Sequence, residues 1–134
     1  MVNALANKYF SMQYDAVLIT FPYITPTAPA AAPALLKGYL KTQGFEIVAK
    51  DYNILVKNRL DKSVYSELII YWTAWNTNNM ILKENVKQAY TELLHDLAKE
   101  FLEYDTRWIG FSVFSQHSRK FLEDFLPIFQ QYNN

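Results

Sequence analysis

The sequence predicts a three-layer α/β domain on a parallel sheet, and three observations carry that prediction. A continuous apolar run, Ala16-Val17-Leu18-Ile19-Thr20-Phe21, stops at Pro22; such a run marks a strand covered on both faces rather than one alternating between core and water. A helix-spaced segment then leads through Gly44 into a second strand. Sixty residues on, Trp108-Ile109-Gly110-Phe111-Ser112-Val113-Phe114 turns directly into a last helix. Strand, helix and strand in close succession favour a right-handed parallel crossover.

Taken in order, residues 1–13 carry no clear period and read as a leader ahead of a single domain over 14–134. Prolines 22, 26, 29 and 33 stiffen the connection after the first strand. Pro33 suits a first helical turn, and Leu35, Leu36, Tyr39 and Leu40 follow at helical spacing. A helix from about 33 to 43 is expected, closed by Gly44 in a left-handed cap. Gly38 within it suggests a close approach to another backbone. Residues 45–50 read as the second strand. A helix over about 62–75 places Trp72 and Trp75 one turn apart, the usual spacing of core packing, and Asn76-Thr77-Asn78-Asn79 ends it. Between about 81 and 102, Val86, Ala89, Tyr90, Leu93, Leu94, Leu97, Phe101 and Leu102 form one apolar stripe, opposite Lys83, Glu84, Lys87, Glu92, His95 and Lys99. In the last helix, Pro127 is expected to interrupt the run.

Composition removes several function classes. Thirteen acidic and thirteen basic residues leave no net charge, so nothing draws the chain toward nucleic acid. Cysteine is absent, which rules out thiolate nucleophiles, cysteine-ligated zinc and cysteine-held iron–sulfur clusters in this chain. Two separated histidines give no metal site. The connection after the first strand has prolines where dinucleotide and Walker loops need glycines, and Gly-x-Ser-x-Gly is missing. Neither a secretory start nor a membrane-length apolar run is present, so the expected address is the cytoplasm.

Three such strands, ordered 2-1-3, make the beginning of a Rossmann-like, flavodoxin-like sheet whose later strands are lacking. The third strand is then left as an open edge, which is an association hazard. The chain is a truncated domain, or a partner or self-pairing covers that edge. Ligands of open α/β sheets settle beyond the carboxyl ends of the strands. The residues there are Thr20, Phe21, Pro22 and Tyr23, then Asp51 and Asn53, then Ser112, Phe114, Ser115, Gln116 and His117.

The blocks Val17-Leu18-Ile19 to Pro22, Pro33 with Leu35, Leu36, Gly38, Tyr39 and Leu40, Gly44, Asp51-x-Asn53, and Ile109-Gly110-Phe111-Ser112 occur in this order. Together they resemble the amino-terminal cobalamin-binding domain of cobalamin-dependent radical S-adenosylmethionine enzymes. The resemblance spans roughly residues 14–131. It implies a corrinoid held over the carboxyl edge and presented to a radical S-adenosylmethionine domain absent from this chain. The cobalt-ligating Asp-x-His-x-x-Gly signature is missing, so the resemblance implies cobalamin held without a protein histidine.

Plainer readings stand beside these. Asp51 and Asn53 also shape turns, His117 and His95 suit a solvated surface, and Glu123-Asp124 reads as a solvent-facing pair. The competing function is a cofactor-free interaction module using its open edge. A small enzyme with Asp51 and His117 as acid and base has no orienting third residue.

Overall fold

A computed structural model describes residues 13–22, 31–74, 81–113 and 115–133. The leader through residue 12, Tyr23, Pro26, Pro29, Trp75 and Phe114 lie outside the described residues. Three strands, β1 (Tyr14–Thr20), β2 (Ile47–Asp51) and β3 (Thr106–Ser112), form one parallel sheet in the order β2-β1-β3. Among the described residues five helices accompany it: α1 (Ala31–Thr42), α2 (Tyr52–Arg59), α3 (Lys62–Ala74), α4 (Glu84–Leu102) and α5 (Gln116–Tyr132). The expected α/β class and the 2-1-3 order are what the chain adopts.

The two faces of the sheet differ. On one face Val17, Ile19 and Phe21 are fully buried beneath α2, α4 and α5, with α3 packed behind them. Aromatic rings fill this side: Phe21 lies 4.7 Å from Phe121 and 5.1 Å from Phe111 between ring centroids, and Tyr52 meets Phe101 at 4.8 Å. Burying one such side chain stabilises the fold by about 1.5–3 kcal/mol. Fully buried Trp72 packs edge-on to Phe121 and donates its indole N–H to the Tyr90 hydroxyl, 3.2 Å away.

The other face, lined by Ala16, Leu18 and Thr20 of β1, carries, among the described residues, α1, which lies over β1 and β2. The expected covering on both sides is therefore uneven. In α1, Pro33 alone is buried; Leu35 is 74% and Tyr39 63% exposed, so these residues of the apolar stripe look outward. Gly38 has open space around it, and no close backbone explains it. Gly44 does cap the helix, at φ +89°. Its N–H bonds the Lys41 carbonyl at 3.1 Å while the Phe45 N–H bonds that of Leu40 at 3.1 Å, the paired closure of a Schellman cap.

Two elements depart from expectation. The segment after β2 is helix α2, started by Asp51, whose carboxylate accepts the Asn53 N–H at 2.9 Å, and anchored by buried Tyr52 and Val56 one turn apart. Helix α5 runs unbroken past Pro127 to Tyr132. Proline removes a single intrahelical bond, and Phe125 and Phe129 hold the chain in the core on either side of it.

Arg59 forks onto Glu100 at 2.7 and 3.1 Å, and the Tyr52 hydroxyl donates to the same carboxylate at 2.9 Å. Arg59 first, and Tyr52 with it, hold the Glu100 carboxyl below its ordinary range, while burial pushes the Tyr52 hydroxyl upward. This cluster ties α2 to α4.

Candidate functional site

Parallel pairing brings the three strand ends together. In register, Thr20 stands beside Asp51 on one side and Ser112 on the other, so three polar residues from three strands form a row across the carboxyl edge. The remaining candidates are turned differently. Phe21 is a core aromatic, and Asn53 is fully buried in the first turn of α2. Pro22 is buried, and its carbonyl accepts a hydrogen bond from Ser118 Oγ at 2.9 Å. Ser115 caps α5, accepting the Ser118 N–H at 3.4 Å, and exposed Gln116 donates to the Thr73 carbonyl at 3.1 Å. Tyr23 and Phe114 lie outside the described residues.

His117 is neither a solvated residue nor an open ligand group; it is 4% exposed. The Thr73 hydroxyl gives its one proton to the Ile69 carbonyl at 2.7 Å, so His117 Nε2–H donates to Thr73 Oγ1 at 2.7 Å. Nδ1 is thereby a bare acceptor, buried without a partner among the described residues. Asp51 Oδ2 is the second acceptor of this edge with no partner among the described residues. Asp51 ends β2 whereas His117 lies in the first turn of α5, and no group of three or more metal-binding side chains occurs among the described residues.

Burial holds the His117 imidazole below its usual value. The unfolded chain therefore takes up the proton first, so stability is full above about pH 6.5 and is lost as the pH falls below it, until the folded imidazole also protonates. His117→Asn is expected to flatten the fall in urea midpoint between about pH 7 and 5. A slope equal to that of the wild type would assign the effect to other groups.

Two recesses flank β3. On the α1 side, Leu18, Ala32, Pro33, Leu36, Gly110 and Ser112 surround a recess of about 260 Å³. A Cβ on Gly110 would stand 3.0 Å from Leu18 Cδ2, so glycine keeps that floor open. Trp108, on the same face and two residues away, is 68% exposed. On the α5 side, a groove of about 640 Å³ follows the strand past Ile109, Phe111, Phe101 and Phe129. Between the two runs a backbone edge, where the Trp108 carbonyl accepts the Thr106 hydroxyl at 3.0 Å and the Thr106 N–H bonds the Tyr104 carbonyl at 3.0 Å. The Asp105 carbonyl accepts from Tyr14 in β1, which fixes the alternation: odd-numbered residues of β3 bond inward, and the N–H and C=O of Trp108 and Gly110 point out of the sheet. No described strand pairs with them.

His95, expected in solvent, is half-buried with Nδ1 2.7 Å from the Tyr132 hydroxyl. The pair Glu123-Asp124 also divides: Glu123 is exposed, whereas Asp124 is half-buried and bonds Tyr71, Tyr90 and Lys120.

No protein-family model, curated protein or solved structure matches this chain. Among the described residues no helix is long and apolar enough to cross a membrane. Toward a corrinoid, the described residues offer the recess beside Gly110, and its volume is below the roughly 300 Å³ at which ligand pockets begin. No described residue supplies a cobalt ligand at that recess.

Proposed function

We propose that this chain is a protein-interaction module whose uncovered β3 edge accepts a strand from another polypeptide. The observation that carries the reading is the outward-pointing backbone of Trp108 and Gly110, met by no described strand, with an apolar recess on one side and on the other a groove that mixes Ile109, Phe111 and Phe129 with Glu103, Asp105 and Arg107. Strand addition uses such an edge: main-chain hydrogen bonds supply affinity, and pockets for alternate side chains supply specificity. The recess takes side chains from one face of the added strand, and the groove takes those from the other. Hydrogen exchange at low micromolar concentration tests whether the edge is free. The amides of Trp108, Gly110 and Ser112 are expected to exchange rapidly while those of Ile109 and Phe111 are protected. Slow exchange of the outward set in a monomer would mean that the chain covers its own edge, and the reading would fall.

A second reading is a corrinoid-binding module serving a radical S-adenosylmethionine domain on another polypeptide segment. It is supported by the position of Gly110 and Ser112, two residues of the resemblance, in the wall of the recess. Its test is hydroxocobalamin. Retained colour after desalting, lost in Gly110→Val, would favour it, and a colourless protein with no heat of mixing would remove it.

A further inference from the structure

We propose that the strand accepted by β3 is the β3 of a second copy of this chain, paired antiparallel about a two-fold axis at Ile109. The proposal rests on the open-edge reading above and names its occupant. For the two sheets to continue on the same faces, paired residue numbers must sum to an even value, since side chains alternate along each strand. The same rule brings outward-facing backbones together, and because the Thr106 N–H is held by the Tyr104 carbonyl, about six N–H···O bonds form between the copies.

Among the even registers, the one centred on Ile109 sets Trp108 opposite the partner's Gly110. Gly110 is the one residue of β3 without a side chain. An indole can therefore cross it and enter the recess walled by Leu18, Pro33 and Leu36. This is aromatic cover of a strand glycine, made twice by symmetry. Centring on Trp108 would oppose the two indoles and leave both recesses open, whereas centring on Gly110 would set Trp108 against Ser112. On the other face, the partner's Ile109 and Phe111 lie along the groove beside Phe101 and Phe129. The single charge of β3, Arg107, stands opposite Phe111 and not its own copy, so no like charges meet.

The chain lacks cysteine, which makes a single introduced thiol a clean reporter. Ile109→Cys places two sulfurs on a non-hydrogen-bonded pair with Cα atoms about 4.5 Å apart, within disulfide range. Thr106→Cys places its two sulfurs about 20 Å apart, six residues along the strand. Under mild oxidation at about 50 μM, a concentration inside the μM range of weaker interfaces, Ile109→Cys is expected to form at least tenfold more covalent dimer than Thr106→Cys. Sedimentation equilibrium of the full chain is expected to show a dimer. Trp108→Lys, with an unchanged far-ultraviolet dichroism spectrum, is expected to weaken it at least tenfold. Equal cross-linking of the two cysteine variants, or a dimer indifferent to Trp108→Lys, overturns the register. A wild-type monomer at millimolar concentration overturns the second copy as occupant. In that case rapid exchange of the Trp108 and Gly110 amides leaves the open-edge reading standing, and slow exchange removes both.

Discussion

Phe21→Ala is expected to lower the folding free energy by about 3–5 kcal/mol, at the upper end for truncation of a buried aromatic. Phe21 is fully buried and meets four rings: Phe121 at 4.7 Å, Phe111 at 5.1 Å, Phe125 at 5.3 Å and Phe101 at 6.1 Å. Those rings come from β3, α4 and α5, so the cavity cannot close by one side chain settling inward; three elements would have to move together. Single domains are stable by only about 5–15 kcal/mol, and this one loss is a large share of that. The urea midpoint should fall sharply at constant slope, and Ser112→Ala, in the wall of the recess, should stay within about 0.5 kcal/mol of the wild type. The contrast separates two roles for the carboxyl edge. A ring serving only to line a ligand site would leave the midpoint unchanged when truncated.

Phe21 also shows where sequence reading stops. The apolar run that contains it announces a buried parallel strand, and the helix-spaced stripes with Gly44 announce the crossovers; these are local patterns, and strands, order and cap all follow from them. Which face a strand-end residue joins is not local. Thr20 and Phe21 are neighbours, yet Thr20 stands in the polar row with Asp51 and Ser112 while Phe21 enters the aromatic core. The stripe of Leu35, Leu36 and Tyr39 gave the helix but not its surroundings, for a related reason. Periodicity shows that a helix has an apolar face but not whether this chain has enough sheet to cover it, and three strands leave α1 with little to lie on. Helix α2 was hidden behind the turn-forming character of Asp51 and Asn53, although Tyr52 and Val56 at i, i+4 were its available signal. The orphaned Nδ1 of His117 had no signal at all. It depends on Thr73, forty-four residues away in sequence.

Asp124→Ala is expected to cost about 2–3 kcal/mol, the loss of hydrogen bonds to a charged acceptor together with the donors left behind. Asp124 accepts from Tyr90 at 2.9 Å, Tyr71 at 3.1 Å and Lys120 at 2.9 Å, and Tyr90 in turn receives the Trp72 indole N–H at 3.2 Å. One carboxylate thus ties α5 to α3 and α4. Burial first, and the Asp124 charge next, push the Tyr90 hydroxyl well above its ordinary value, so at neutral pH it remains a proton donor in need of an acceptor. Lys120 and Asp124 are 17% and 20% exposed, too covered for salt to screen them fully and too wet for a large Coulomb gain. Hydrogen bonding should therefore outweigh charge. Asp124→Asn, which keeps an acceptor oxygen for the tyrosines, is expected to cost roughly half as much as alanine, and Lys120→Met less again because both tyrosine donors keep their partner. Urea midpoints of the three variants and of the Asp124→Ala, Lys120→Met double variant decide it, with about 1 kcal/mol of coupling expected for groups in one network. An asparagine variant as unstable as the alanine one would reverse the order and make the ion pair, not the tyrosine bonds, the element that holds these three helices together.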